Sequence, residues 1–327
     1  MKKSLAIYQN TFSDYLNQYI SDLQKKQPKE LYEPIIYILK SDAKHIRPLL
    51  CLLSCELYGK KIKNALPSAL SIEIFHTFSL VHDDILDNSP LRRGKKTIHT
   101  KWNTNIAILS GDALLIESFR LITQYPPDIS YQLVKTLSTA SLEICEGQQE
   151  DMNFEKKEFV SSNDYLEMIR KKTSVLLGTA LKMGSIISEA PLAEQKKLYN
   201  IGENIGIAFQ IMDDYLDTFG NPKIFGKKIG NDILTNKKTF LLTKAIEKSN
   251  KKQLLEIKKI LKMPPSKEKI QLMTNIYTQL KIDELAIHYV NQIHQKTLAQ
   301  IQSLKVKNKD TLELFSQLTH QLIERTK

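Results

Sequence analysis

Phe78-Ser79-Leu80-Val81-His82-Asp83-Asp84-Ile85-Leu86-Asp87 places three acidic residues at the end of an apolar run. The same D-D-x-x-D pattern returns as Asp213-Asp214-Tyr215-Leu216-Asp217, after Phe209-Gln210-Ile211-Met212. On a helix, residues one turn apart share a face. Asp83 and Asp87 then point the same way with Asp84 at the edge, and Asp213, Asp217 and Asp214 repeat that geometry. Six clustered carboxylates repel one another unless a cation sits among them. Hard oxygen ligands suit Mg²⁺, which keeps several waters and completes its shell from a substrate's phosphates. The pair reads as two facing clusters with a diphosphate held between them through magnesium. A lone acidic cluster would be read as a solvated helix face or a first helical turn; two matched copies inside apolar helices are not. Neither copy has the alternating Asp/Asn or central Gly of an EF-hand loop.

Outward from these motifs, apolar residues recur at three- and four-residue spacing, as in Leu16-Ile20-Leu23, Ile35-Ile38-Leu39 and Leu254-Leu255-Ile257-Ile260-Leu261. Breaks fall at Pro67, Asn88-Ser89-Pro90, Pro126-Pro127, Pro191, Gly220-Asn221-Pro222 and Pro264-Pro265. The segments between them run roughly 15–35 residues, fit for a large helical bundle. No strand alternation, linker or composition shift marks a second domain. The expectation is one all-α domain over residues 1–327.

Composition narrows the function classes. With 42% hydrophobic and 25% charged residues the chain reads as a soluble globular protein. No apolar run approaches membrane-spanning length, and Met1-Lys2-Lys3-Ser4-Leu5 is not followed by a signal-peptide core. Cys51, Cys55 and Cys145 have neither metal-type nor disulfide-type spacing, so they read as buried thiols in a reducing cytoplasm. The net charge of +11 would permit a nucleic-acid or anionic membrane partner. It is concentrated in lysine-rich stretches such as 244–262, and no nucleic-acid-binding motif accompanies it. Neither a nucleic-acid partner nor an integral membrane association is expected.

Basic residues flank the acidic motifs. Leu91-Arg92-Arg93-Gly94-Lys95-Lys96 follows the first, where paired arginines can meet diphosphate oxygens with forked bonds. Lys44-His45-Ile46-Arg47-Pro48 supplies another cationic pair, with Lys44 and Arg47 one turn apart on a helix that Pro48 would end. Lys172-Thr173, Gly226-Lys227-Lys228 and Asn236-Lys237-Lys238-Thr239 add more. His76 lies seven residues before Asp83, two turns along the same face.

With these segments the chain resembles the trans-isoprenyl diphosphate synthases, or polyprenyl synthetases, from about Lys44 to Thr239. The resemblance rests on the first aspartate motif with Arg92-Arg93-Gly94, and on Phe209-Gln210-x-x-Asp213-Asp214-x-x-Asp217 followed by Gly226-Lys227 and Asn236-Lys237. Gly111-Asp112-Ala113-Leu114-Leu115, Gly147-Gln148-x-x-Asp151 and Lys172-Thr173 fall between them in the family's order. It implies an isoprenoid-synthase bundle around a central cavity, a three-magnesium cluster and a homodimer. Asp83, Asp87 and Asp213 would be direct metal ligands, with Asp84, Asp214 and Asp217 ligands or supporting groups. Arg92, Lys172, Lys227 and Lys237 would hold an allylic diphosphate (dimethylallyl, geranyl or farnesyl), and Lys44, Arg47, His76 and Arg93 the diphosphate of isopentenyl diphosphate. Gln210 and Thr173 would line the region where a carbocation forms. The family has Gly-Gly shortly before the lysine of its first substrate motif, whereas this chain has Asp42-Ala43.

Product length in the family follows the residue five before the first aspartate, here Phe78, with Ser79 beside it and Phe75 a turn farther back. An aromatic at that place, with no insertion in the motif, favours a twenty-carbon product over a fifteen-carbon one. A class I terpene cyclase would carry a different second metal motif and would not need the cations around Lys44. An inactive regulatory subunit would lack an acidic motif, and both are intact.

Overall fold

The computed structural model describes residues 4–220 and 229–324. Among them the chain is helical almost throughout: α1 Leu5–Leu23, α2 Lys29–Leu39, α3 Ile46–Leu57, α4 Leu66–Leu86, α5 Ile98–Lys101, α6 Thr104–Ile122, α7 Pro127–Glu155, α8 Ser162–Ile169, α9 Val175–Ile187 and α10 Leu192–Phe219. Then follow α11 Asn231–Leu234, α12 Phe240–Lys248, α13 Lys251–Leu261, α14 Lys267–Gln279, α15 Ile282–Gln302 and α16 Lys309–Ile323. The all-α expectation holds. No helix among the described residues is long and apolar enough to cross a membrane.

The chain forms two compact units. The first comprises residues 1–139, 178–199 and 304–315, the second 140–177, 200–303 and 316–327. In the first unit, α1 buries Tyr8, Phe12, Leu16, Ile20 and Leu23, a stripe at four- and three-residue spacing. α4 buries Leu66, Ala69, Leu70, Ile72, Ile74 and Phe75 on several sides, because α3 and α6 both pack on it. In the second, α8 packs on α12, and α15 on α12 and α14.

Helix ends follow the expected chemistry. Pro67 lies in the first turn of α4, where a missing N–H leaves nothing unsatisfied. Asn103, Ser161, Thr239 and Ser266 each accept a backbone N–H at a helix start, and Asn250 with Gln253 forms a full capping box. Pro48 is a correction. It sits in the first turn of α3 and starts the helix rather than ending it, and Lys44 precedes the helix. His45, in the left-handed region at φ 46°, makes the entry.

Cysteine burial also departs from expectation. Cys51 and Cys55 are buried, but Cys145 is exposed. On α7 the buried stripe runs Ala140–Ile144–Gly147, and Cys145 lies off it.

α3 and α9 approach so closely that a Cβ at Gly184 would lie 2.1 Å from the Cys51 carbonyl oxygen. Beside it the Ser54 hydroxyl donates to the Leu181 carbonyl at 2.5 Å. We expect Gly184→Ala to force the two helices apart and destabilise the protein by about 1–3 kcal/mol, read from the urea midpoint. An unchanged midpoint would show that the contact yields freely.

Candidate functional site

The first aspartate motif closes α4. Asp87 is its C-cap, donating backbone N–H to Asp83 O, and Ser89 N–H returns to Asp84 O at 2.9 Å. The chain then forms a minimal hairpin, Leu91–Arg92 against Lys95–Lys96. Its two turn residues, Arg93 and Gly94, both have positive φ (52° and 75°), as a tight hairpin turn requires. The hairpin sends Arg92 back onto the motif: Nε donates to Asp84 Oδ1 at 2.8 Å, and Nη2 lies 3.4 Å from Asp83 Oδ2. Asp84 is buried, Asp83 half-buried and Asp87 exposed. Burial pushes the Asp84 carboxyl above its ordinary range, and Arg92 pulls it back.

Next to this motif lies a cationic group. Arg47 Nη1 donates to His76 Nε2 at 3.0 Å, while Arg47 Nε is shut off from solvent without a hydrogen-bond partner. Burial brings the Arg47 guanidinium down to about 10, against the pull of Glu73, so it stays charged at neutral pH. Burial and then Arg47, Arg93 and Arg92 hold His76 well below the usual histidine range, and the neutral ring can accept from Arg47. His45 Nδ1 lies 2.8 Å from Glu73 Oε1. Arg93 Nη1 donates to the Asp42 carbonyl at 2.9 Å, so the position that departs from the family's Gly-Gly supplies a backbone acceptor. Lys44 is exposed.

Along α4, the Phe75, Phe78 and His82 rings stack edge-on, with centroids 5.4 and 4.8 Å apart. His82 seats against Gly111 of α6, where a Cβ would lie 2.2 Å from its Nε2. Ser79 turns its hydroxyl onto the His76 carbonyl at 2.8 Å. Phe75 is buried, whereas Phe78 and Ser79 are half-buried.

In the second unit the other motif ends α10. Asp214 is buried and receives the Tyr165 hydroxyl, the Phe240 N–H at 3.0 Å and the Gln210 amide at 3.2 Å. Burial raises its carboxyl, opposed by Lys237 and these donors. Asp213 and Asp217 are half-buried, and Asp217 Oδ2 accepts the Asp232 N–H at 3.0 Å. Burial pushes Asp232 up to about 7, against the pull of Lys237 and with Asp214, Asp217 and Asp213 nearby. Lys237 Nζ lies 3.9 Å from Asp232 Oδ1. Burial pulls the Lys237 ammonium down, but Asp232, Asp214, Asp151 and Asp213 hold it above its ordinary range.

Lys172 and Thr173 lie in a π-helical turn, Arg170–Ser174, between α8 and α9. Such wide turns recur at functional sites. This one is seated between two glycines. A Cβ at Gly147 would lie 2.5 Å from Lys172 N, and one at Gly206 2.5 Å from Ser174 Cα. Consecutive acids of α7 fix its lysines, Glu150 holding Lys171 at 2.6 Å and Asp151 holding Lys172 at 2.7 Å. Gly226, Lys227 and Lys228 lie outside the described residues.

The structure thus gathers Asp83, Asp84 and Arg92, and separately Arg47 with His76, in the first unit. In the second it joins Asp214 to Gln210 and sets Asp213 and Lys237 near one another. Sequence reasoning missed Tyr165, which anchors Asp214, and did not pair Asp151 with Lys172. No spacing rule links residues on different helices, although Asp151 stood in a recognisable motif.

A family model for polyprenyl synthetase matches residues 28–280. A geranylgeranyl pyrophosphate synthase of Geoglobus acetivorans is 43% identical over 235 residues, 71% of this chain and 73% of that protein. A geranylfarnesyl diphosphate synthase of Aeropyrum pernix is 36% identical, over 74% of this chain and 78% of that one. The crystal structure of a geranylgeranyl pyrophosphate synthase superposes with a TM-score of 0.92 at 40% identity, covering 99% of this chain and 100% of the other.

Tyr165→Phe should remove one of three donors from the buried Asp214 carboxylate. We expect a loss of about 1–3 kcal/mol in stability, measured by urea denaturation. No loss would show that Asp214 does not depend on that hydroxyl.

Proposed function

The chain belongs to the polyprenyl synthetase family, and on that footing we propose that it is a magnesium-dependent trans-prenyltransferase joining isopentenyl diphosphate head-to-tail to an allylic diphosphate, with geranylgeranyl diphosphate as product. One observation carries the reading: both aspartate motifs are intact, each with its middle carboxylate anchored and its outer two not buried. The outer carboxylates of Asp83, Asp87, Asp213 and Asp217 are hard oxygen donors, a set that fits Mg²⁺. In the proposed site they hold a three-ion cluster, with Asp84 and Asp214 keeping each motif in place. Bound magnesium supplies neutralisation of the departing diphosphate.

The chain's own residues do the rest. Arg92, Lys172 and Lys237, joined by Lys227, bind the allylic diphosphate. Lys44, Arg47, His76 and Arg93 bind the diphosphate of isopentenyl diphosphate. Donors already fixed by their neighbours need little reorganisation as charge moves onto the leaving group; Arg92 on Asp84 and Lys172 on Asp151 are of this kind. Gln210 and Thr173 line the region of the allylic cation, and apolar walls keep water from it. The isopentenyl double bond attacks that cation, and the released diphosphate takes the proton lost afterwards. Phe78, braced by Phe75 and His82, closes the chain-length pocket with Ser79 beside it. The proposed homodimer is supported by Leu109 and Ile116, 58% and 67% exposed and two turns apart on α6.

Product analysis tests the reading, with magnesium, isopentenyl diphosphate and dimethylallyl, geranyl or farnesyl diphosphate offered separately. Accumulation of geranylgeranyl diphosphate is expected; a stop at farnesyl diphosphate, or growth to geranylfarnesyl diphosphate, would correct the length. No elongation with any primer would overturn the enzyme in favour of an inactive subunit. Asp83→Ala and Asp213→Ala should each lower kcat by about 100-fold or more, and chelation of magnesium should abolish turnover. Phe78→Ala should lengthen the product, and an unchanged distribution would remove Phe78 as the floor.

A further inference from the structure

Outside the aspartate motifs, three ligand-type side chains of the second unit converge. His294 lies on α15, while His320 and Glu324 stand one turn apart at the end of α16. Their ligand atoms all fall within 4.8 Å of one another. His294 Nδ1 is 3.4 Å from Glu324 Oε1, and His320 Nε2 is 3.2 Å from Glu324 Oε2. Zinc binds imidazole nitrogen and carboxylate oxygen at about 2.0–2.2 Å in a tetrahedron, whose neighbouring ligand atoms therefore lie about 3.3–3.5 Å apart. The two separations, one to each oxygen of the Glu324 carboxylate, are close to that edge.

The chemistry of the trio differs from that of the aspartate motifs. Two imidazoles and one carboxylate form a borderline donor set that prefers Zn²⁺ and its transition-metal neighbours, whereas all-oxygen sets suit Mg²⁺. His294 is 2% exposed, and its Nε2 is buried without a hydrogen-bond partner, so no competing bond draws the ring away from Glu324. His320 and Glu324 are exposed, so a cation can enter from solvent and keep water as its remaining ligand.

We propose that His294, His320 and Glu324 form a binding site for one Zn²⁺-class divalent cation that fastens the end of α16 to α15. Three protein ligands and an open fourth position make the site reversible, its occupancy set by the available metal. Saturating Zn²⁺ would raise stability, because it binds the folded arrangement and not the unfolded chain.

The test is calorimetric titration of the full-length protein with Zn²⁺ alone, in buffer carrying millimolar Mg²⁺ to occupy the oxygen sites, alongside His320→Asn and Glu324→Gln. Both substitutions fall at exposed positions, and metal-free thermal denaturation checks that each variant folds. The expected result is one equivalent of Zn²⁺ and a Zn²⁺-dependent rise in Tm in the native chain, with affinity weakened at least about tenfold in both variants. Co²⁺ should give a four-coordinate visible spectrum that both variants lose. Absence of Zn²⁺ binding by the native chain overturns the proposal, as does equal affinity in native chain and variants.

Discussion

A carboxylate leaves water only if other groups take over its solvation, and this requirement organises both aspartate motifs. In each, the middle residue is buried: Asp84 against Arg92, Asp214 against Tyr165, the Phe240 N–H and Gln210. Charged groups lose several kcal/mol of hydration on burial, so these partners are conditions of the fold. Satisfying them turns the outer aspartates away from the core. Asp83 with Asp87 in one unit, and Asp213 with Asp217 in the other, are thereby each left less buried than the carboxylate between them.

Cations are ordered by the same rule. Arg92 is held by Asp84, Arg47 stands against His76, and Lys172 is paired with Asp151. Each has given up part of its freedom to a neighbour, so in the proposed site less would remain to be lost on binding. His76 is informative because its neutrality follows first from its burial and then from the arginines around it. An imidazolium there would add a fourth positive charge to a crowded corner; the neutral ring accepts a hydrogen bond from one.

Much of this was legible in the chain. Apolar spacing foretold the helices: Leu16, Ile20 and Leu23 line the buried stripe of α1, and Ile257 and Ile260 are buried on α13. The aspartate motifs were visible because local spacing on one helix encodes a shared face. The two-residue hairpin carrying Arg92 was not, since so short a strand pair has no alternation to read. Pro48 misled because proline is compatible with a helix start and hostile only to its interior. Tyr165 was silent because its role depends on a helix packed against α10. For Cys145, residue type suggested burial, but its angular position on α7 decided otherwise.

The π-helical turn at Arg170–Ser174 has a consequence for helical phase. A wide turn accommodates about one residue more than an α-helical one, a rotation of roughly 100° in the angular position of everything that follows. α8 buries one face, with Ser162, Tyr165, Met168 and Ile169, whereas α9 beyond the turn is buried at every position but Lys182. The segment behaves as two words sharing a hinge letter. Gly147 and Gly206, by leaving room for the turn, fix where one reading frame stops and the next begins.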